Sequence, residues 1–72
     1  MPKPQKHSFN ISGHQTSITL EDEFWQALKS IATAQNQPLA QLIINIDNKR
    51  HDENLSSAVR VYILKYYQDK NH

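Results

Sequence analysis

The stretch that decides the fold is Gln15-Thr16-Ser17-Ile18-Thr19-Leu20, which runs straight into Glu21-Asp22-Glu23-Phe24-Trp25. Alternating polar and apolar side chains predict a half-buried β-strand, and the acidic residues after it suit the positive end of a helix. Such a strand presents Gln15, Ser17 and Thr19 on one face. The pattern of the remaining chain after Leu20 predicts helices and polar connections, which leaves the strand without an obvious long partner in its own chain. We therefore expect a mostly α-helical fold with one N-terminal strand that pairs with the same strand of a second copy.

Length and composition also favour a dimer. The chain has 72 residues, of which 38% are hydrophobic, and this is close to the lower size limit for a single core. It has no cysteine, so disulfides and thiolate zinc sites are excluded and oligomerisation is the simplest remaining source of stability. We predict a homodimer with no metal site and no cofactor. Because no apolar run reaches the length of a membrane span or forms a signal-peptide core, we expect a cytoplasmic protein without a membrane partner.

Three helices follow the strand. The apolar spacing predicts a first helix from about Glu21 to Gln35, ended by Asn36 in the left-handed conformation. A second helix is predicted from about Pro38 to Asp47, with the proline as its first residue. The third begins near Leu55 or Ser56, and Asn54, Ser56 and Ser57 are all capable of capping it. It is apolar on most sides, and one small subunit cannot cover all of that surface, which is a second reason to expect a dimer.

The N-terminal part has the least regular pattern. Residues 1–8 are predicted to form a flexible basic arm, residues 9–68 the folded domain, and residues 69–72 a terminal tail. Gly13 is the only glycine of the chain. It forms either a bulge or, with Ser12, a tight turn that folds the preceding residues back along the strand. An extended or kinked lead-in is slightly favoured over this hairpin.

The order strand, helix, asparagine turn and helix resembles the ribbon-helix-helix family of dimeric DNA-binding proteins. The segments that carry the resemblance are the strand–helix join at Ile18–Phe24 and the helix–turn–helix join at Ile31–Ile43. Ser12–Ile18 and Asn54–Val61 look like a bacterial subgroup with an additional C-terminal helix. The resemblance implies an antiparallel ribbon made by two subunits and inserted in the major groove of double-stranded DNA.

The resemblance also implies particular contacts. Base-reading positions of the family correspond to Gln15, Ser17 and Thr19, and phosphate contacts correspond to Leu39 and Ala40 at the start of the second helix. A glutamine amide can pair bidentately with adenine. The basic arm adds three candidates for phosphate contact, which are Lys3, Lys6 and His7. The predicted dimer interface contains Thr16, Ile18, Leu20, Trp25, Val59, Tyr62 and Ile63.

The function predicted from these features is a sequence-specific transcriptional regulator, a repressor or autoregulator. The alternative is a dimeric protein-interaction module, such as an antitoxin-like or adaptor subunit that binds a second protein and has weak or no DNA binding. The net charge of +1 and the absence of Arg and Lys from the strand face favour this alternative. We do not expect an enzyme, because the consecutive residues Glu21-Asp22-Glu23 do not converge as an acid/base pair on one helix face and a single glycine cannot build a phosphate-binding loop.

Overall fold

The computed structural model describes residues 3–11, 13–52 and 54–70, which form a hairpin followed by three helices. The elements are β1 (Gln5–Ile11), β2 (His14–Leu20), α1 (Asp22–Ala34), α2 (Leu39–Lys49) and α3 (Leu55–Lys70). The mostly helical class and the additional third helix are therefore confirmed. In the part of the chain that the structure describes, no helix is both long and apolar enough to cross a membrane.

The two strands pair antiparallel within one chain, in a register that runs from Gln5 opposite Leu20 to Ile11 opposite His14. Gly13 lies between them with φ +80°, a conformation that favours glycine in a tight turn, whereas Ser12 lies outside the described residues. The expected extended lead-in and the expected single strand are both wrong, because β1 is a full-length partner for β2. The register pairs odd-numbered residues of β1 with even-numbered residues of β2, so the apolar residues of both strands share a face.

The predicted domain limits change at both ends of the chain. Residues 5–8, assigned above to a flexible arm, lie in β1 because the hairpin register extends to Gln5. At the other end, Asp69 and Lys70 belong to α3 rather than to a tail. The remaining residues of the predicted arm and tail, 1–2 and 71–72, lie outside the described residues.

The turn between α1 and α2 follows from Asn36. Its φ of 55° is left-handed, as predicted. The Asn36 N–H donates to Thr33 O at 3.0 Å and the Gln37 N–H donates to Ala32 O at 3.1 Å. These two bonds are those of the Schellman motif, which satisfies carbonyl groups at the end of a helix. The predicted end of the first helix is therefore confirmed to within one residue.

The residues immediately before α2 and α3 lie outside these helices, at their N-terminal ends. Pro38 is the N-cap of α2 with ψ 147°, so it precedes the helix instead of being its first residue. At α3, the Ser57 N–H donates to Asn54 Oδ1 at 2.8 Å, which makes Asn54 a capping residue as predicted.

The core is apolar and receives side chains from β2 and from all three helices. Its buried residues are Ile18, Leu20, Leu28, Ile31, Ala32, Leu42, Ile43, Ile46, Leu55, Ala58, Val59 and Ile63. The prediction that Ile18, Leu20, Val59 and Ile63 form a dimer interface is corrected here. Ile18, Leu20 and Val59 are 0% exposed and Ile63 is 4% exposed within one chain, so they have almost no surface left for a second copy.

Candidate nucleic-acid interface

The outward face of the hairpin is built from both strands. Residues that are directly paired in a sheet share a face. Lys6 therefore lies beside Thr19, Ser8 beside Ser17 and Asn10 beside Gln15. All of these side chains are exposed, whereas Ile18 and Leu20 on the opposite face are buried against the helices. We call this set the hairpin face: Lys6, Ser8, Asn10, Gln15, Ser17 and Thr19.

Side chains within each pair of the hairpin face lie close together. The N–H and C=O of Thr19 bond to α3, at 2.9 and 3.1 Å, and therefore point away from β1. Lys6–Thr19 is thus a non-hydrogen-bonded pair of the ladder. Because hydrogen-bonded and non-hydrogen-bonded pairs alternate along an antiparallel ladder, Ser8–Ser17 and Asn10–Gln15 are also non-hydrogen-bonded pairs. Cα atoms of such pairs are only about 4.5 Å apart. The hairpin face consequently offers adjacent amides and hydroxyls, which can donate to and accept from the edges of bases in a groove.

Lys6 is the candidate phosphate-binding residue whose position the sequence analysis did not predict correctly. The outward face of β2 has no cation of its own, but β1 brings Lys6 to the position opposite Thr19. The signal was present in the sequence, because polar Lys6, Ser8 and Asn10 alternate with His7 and Phe9. That alternation predicts a strand with the lysine on its polar face. The hairpin face therefore has one positive charge and no acid.

His7 is not brought together with Lys6. It lies on the inward face of β1, where its ring stacks on Trp25 with the centroids 3.7 Å apart and the planes at 4°. Phe9, on the same face, contacts the same indole at a centroid distance of 6.0 Å. These contacts attach β1 to α1. Of the residues predicted to bind phosphate from the basic arm, Lys6 lies on the hairpin face and exposed Lys3 precedes β1.

The start of α2 lies in a different element from the hairpin face. Pro38 makes no side-chain capping bond there. The first N–H groups of a helix have no partner within the helix and form a site suited to anions. Ala40 is exposed and Leu39 is half-buried. The groups of Leu39 and Ala40 that can donate a hydrogen bond to a phosphate are therefore their backbone N–H groups.

Helix α3 holds the end of β2 through two side chains. Ser56 Oγ accepts from the Thr19 N–H at 2.9 Å, and Arg60 Nη2 donates to Thr19 O at 3.1 Å. The same guanidinium donates to Glu21 Oε1 from Nη2 at 3.0 Å and from Nε at 3.2 Å. We call Ser56, Arg60, Thr19 and Glu21 the junction clamp, because Glu21 is the N-cap of α1 and Thr19 belongs to β2.

The junction clamp affects the charge state of Glu21. A hydrogen bond with its own backbone, and next the hydrogen bond from Arg60, lower the pKa of the Glu21 carboxyl. The ionised carboxylate is thus the form that the folded chain favours. Sequence reasoning missed this cluster, since Ser56 and Arg60 lie about forty positions beyond the residues that they bind and no local pattern links them.

Comparison with known proteins assigns the chain to a family. The model of a ribbon-helix-helix domain matches residues 4–67, which include both strands, α1, α2 and most of α3. No curated protein and no solved structure matches the chain. Domains of this kind are non-enzymatic, bind DNA, form dimers, and generally act as transcription regulators or antitoxins. Because the match covers most of the chain and includes residues of all five elements, the chain belongs to the ribbon-helix-helix family.

Proposed function

We propose that this protein is a homodimeric, sequence-specific transcriptional regulator of the bacterial cytoplasm, a repressor or autoregulator that inserts its hairpin face in the major groove. The observation that carries the proposal is the hairpin face itself. It is exposed, entirely polar, contains Lys6 and no acid, and lies on a hairpin whose opposite face packs Ile18 and Leu20 against the helices. A two-stranded β-ribbon fits the major groove of B-DNA.

The residues of the hairpin face differ in what they can recognise. Gln15 and Asn10 are paired neighbours at the turn end, and each amide can bond bidentately to N6 and N7 of adenine. Ser17 and Thr19 have hydroxyls that suit several bases, and the Thr19 methyl can contact the methyl of thymine. We therefore assign base reading to Gln15, Ser17 and Thr19, with Asn10 as an additional reader.

Phosphate contacts have to supply affinity, because neutralised phosphates account for much of protein–DNA binding. We assign these contacts to Lys3, Lys6 and the backbone N–H groups of Leu39 and Ala40. His7 is left out of this set, since its ring is stacked on Trp25 on the inward face. A dimer doubles each contribution, which compensates in part for the net charge of only +1 per chain.

Selection of bound sequences from a random DNA pool tests the proposal. With the full chain at micromolar concentration, we expect enrichment of two related half-sites arranged symmetrically, because a two-fold dimer reads a palindrome. The variant Gln15→Ala should change the preferred base at one position of each half-site. The matched control Gln26→Ala, at an exposed position of α1, should leave the preference unchanged. A pool without enriched sequences would contradict the proposed function.

A second function is favoured by one specific surface. Val61, Leu64 and Tyr67 of α3 are 48%, 56% and 39% exposed. A groove of about 360 Å³ between α2 and α3 adjoins Val61 and contains Lys49 and Lys65 among its lining residues. Apolar side chains beside cations suit a segment of a second protein with apolar anchors and acidic neighbours. We therefore keep an adaptor or antitoxin-like subunit as the second candidate function.

This second candidate predicts a stoichiometric complex with another protein together with weak DNA binding. Val61→Ser changes an exposed apolar residue that lines the groove, and it should dissociate that complex without affecting the hairpin face. The control is Lys29→Ser, at an exposed position of α1 that does not line the groove. Strong DNA binding by the isolated chain would contradict this candidate.

A further inference from the structure

The groove between α2 and α3 combines an apolar base with polar walls. Its volume of about 360 Å³ lies in the range of small-molecule sites. Leu42, Ile46 and Ala58 line it and are buried, so they form its base, whereas Val61 lines it and is exposed. Its lining residues, all of which lie in the described part of the chain, include three cations and no acid.

One wall of the groove is a chain of hydrogen-bonded side-chain amides. Gln41 Nε2 donates to Asn45 Oδ1 at 3.1 Å, and Asn45 Nδ2 donates to Gln37 Oε1 at 3.3 Å. Gln37 Nε2 donates in turn to Gln35 Oε1, and Gln35 Nε2 donates to the hydroxyl oxygen of Tyr62 at 3.0 Å. The three amide oxygens that line the groove, those of Asn45, Gln37 and Gln35, therefore all accept a hydrogen bond already.

The direction of this chain leaves a donor at its end. Tyr62 accepts from Gln35, and its own O–H has no acceptor among the residues that the structure describes. Lys49 and Lys65 line the same groove, and within the described part of the chain neither ammonium has an ion-pair partner. An ammonium can only donate. The groups of the groove that are still able to bind a ligand are thus mainly donors, and two of them are charged.

We propose that this groove binds a small organic anion, namely a carboxylate or phosphate monoester on an apolar body. Ionised oxygens accept hydrogen bonds, and bonds from charged donors to them are the strongest kind. Lys49 supplies positive charge from α2, Lys65 supplies it from α3, and the Tyr62 hydroxyl donates to the anion. The apolar body packs on the buried base. The site goes beyond the proposed function and does not depend on DNA binding.

A small molecule fits the groove better than a segment of a second protein does. A stable protein–protein interface covers roughly 800 Å² on each partner. Such an interface would extend to Leu64 and Tyr67, which are exposed but do not line the groove. A small anion contacts the groove alone. The two occupants therefore differ in whether they depend on Leu64.

Titration of the full chain, followed by two-dimensional amide NMR spectra, tests the site. The probes are hexanoate and hexyl phosphate, and hexanol is the matched control because it has the same body without the charge. We expect saturable shifts at Asn45, Lys49, Tyr62 and Lys65 with an anion, and about 10-fold weaker binding of hexanol. The more tightly bound probe identifies the carboxylate or the phosphate as the preferred group.

Three results would overturn the site. The first is equal affinity for hexanol and for the better anion, since the donors would then have no role. The second is a set of saturable shifts confined to the hairpin face, where Lys6 lies. The third is the absence of saturable shifts in the groove at millimolar probe concentrations, which is also the result expected if a second copy covers it.

Two tyrosines of α3 form a matched pair of variants. Tyr62→Phe keeps the ring but removes the hydroxyl, and it should weaken binding of the better anion about 10-fold, the effect of one hydrogen bond to a charged group. Tyr67→Phe makes the same change outside the groove and should leave the affinity unchanged. Circular dichroism establishes that both variants are folded. Equal affinities of the two variants would refute the role of the Tyr62 hydroxyl.

The lysines are tested by the dependence of binding on salt. Lys49→Gln combined with Lys65→Gln should lower the affinity for the better anion and reduce its decrease with increasing salt, because salt screens exposed charges. Lys29→Gln, at an exposed position outside the groove, should change neither quantity. An unchanged salt dependence in the double variant would contradict the assigned charges.

One variant and one comparison separate the alternatives. Leu64→Ser should leave the affinity for the better anion unchanged, and its loss would show that the occupied surface is not the groove. A chain that binds an anion in the groove but enriches no DNA sequence supports the site and contradicts the proposed function. A chain that enriches a DNA sequence but shows no saturable shifts in the groove supports the function and contradicts the site.

Discussion

Replacing Lys6 by glutamine tests whether the hairpin face lies against DNA. Lys6 is the only cation of that face, and a dimer presents it twice. Each neutralised phosphate contributes about 0.9 to the slope of log K against log salt concentration. If each Lys6 contacts one phosphate, the slope for Lys6→Gln should be smaller by ~1.8. Between 50 and 200 mM salt, that difference amounts to a roughly 12-fold smaller loss of affinity.

The measurement is a titration by fluorescence anisotropy of a labelled duplex from the selected pool, repeated over a salt series. Lys29→Gln is the matched control, since it makes the same charge change at an exposed position of α1 outside the hairpin face. Its slope should equal that of the unmodified chain. The reasoning is refuted if Lys6→Gln keeps the full slope, or if both variants lose the same amount.

Three further predictions concern specificity, the turn and pH. Gln15→Ala should reduce discrimination between bases at one position of the site by ~1–3 kcal/mol. The measurement is a competition between duplexes that differ only at that position. If the unmodified chain binds all four bases there with equal affinity, Gln15 does not read that base. Gly13→Ala should destabilise the fold by about 1 kcal/mol in urea unfolding. This cost is purely conformational, as an added Cβ meets no atom within 4 Å, and an unchanged midpoint would contradict the strained turn. Because the folded-state pKa of Glu21 is lowered, ionisation of this carboxyl stabilises the fold. The stabilisation is complete above the unfolded-state pKa and is lost as the pH falls through the folded-state pKa. Arg60→Gln should therefore reduce the loss of stability on acidification, measured by urea unfolding at several pH values, and an unaltered profile would speak against this linkage.

The helices were predictable because each has a signal in its own neighbourhood. Asn36 takes the left-handed conformation and Asn54 caps α3, as their local sequences predict. Strand β1 was missed for a physical reason. The apolar residues of β1 have odd numbers and those of β2 have even numbers, a pattern that looks like one strand with a broken alternation. The turn at Gly13 places odd-numbered residues of β1 opposite even-numbered residues of β2, so that both sets share a face.

The predicted interface residues show why burial is harder to assign than secondary structure. A stripe of apolar residues indicates that a surface is covered, but it does not say by which chain. Ile18 and Val59 are covered within their own chain, because they belong to one buried cluster that combines residues of β2 with residues of all three helices. Val61, Leu64 and Tyr67 are large apolar residues of α3 that the chain leaves exposed, in agreement with the expectation that one subunit cannot bury the whole helix.

The junction clamp explains how a third helix can influence a reading face that it does not contain. Arg60 binds the carbonyl of Thr19 and the carboxylate of Glu21 with one guanidinium, so the end of β2, the start of α1 and the first turns of α3 are joined by one planar group. A planar fork with fixed donors constrains orientation more strongly than a single point charge does. Lysine at position 60 would keep the charge but could not hold both acceptors in the same geometry. Arg60→Lys should therefore disturb the position of Thr19 on the hairpin face while leaving the net charge, and hence the electrostatic part of DNA binding, unchanged.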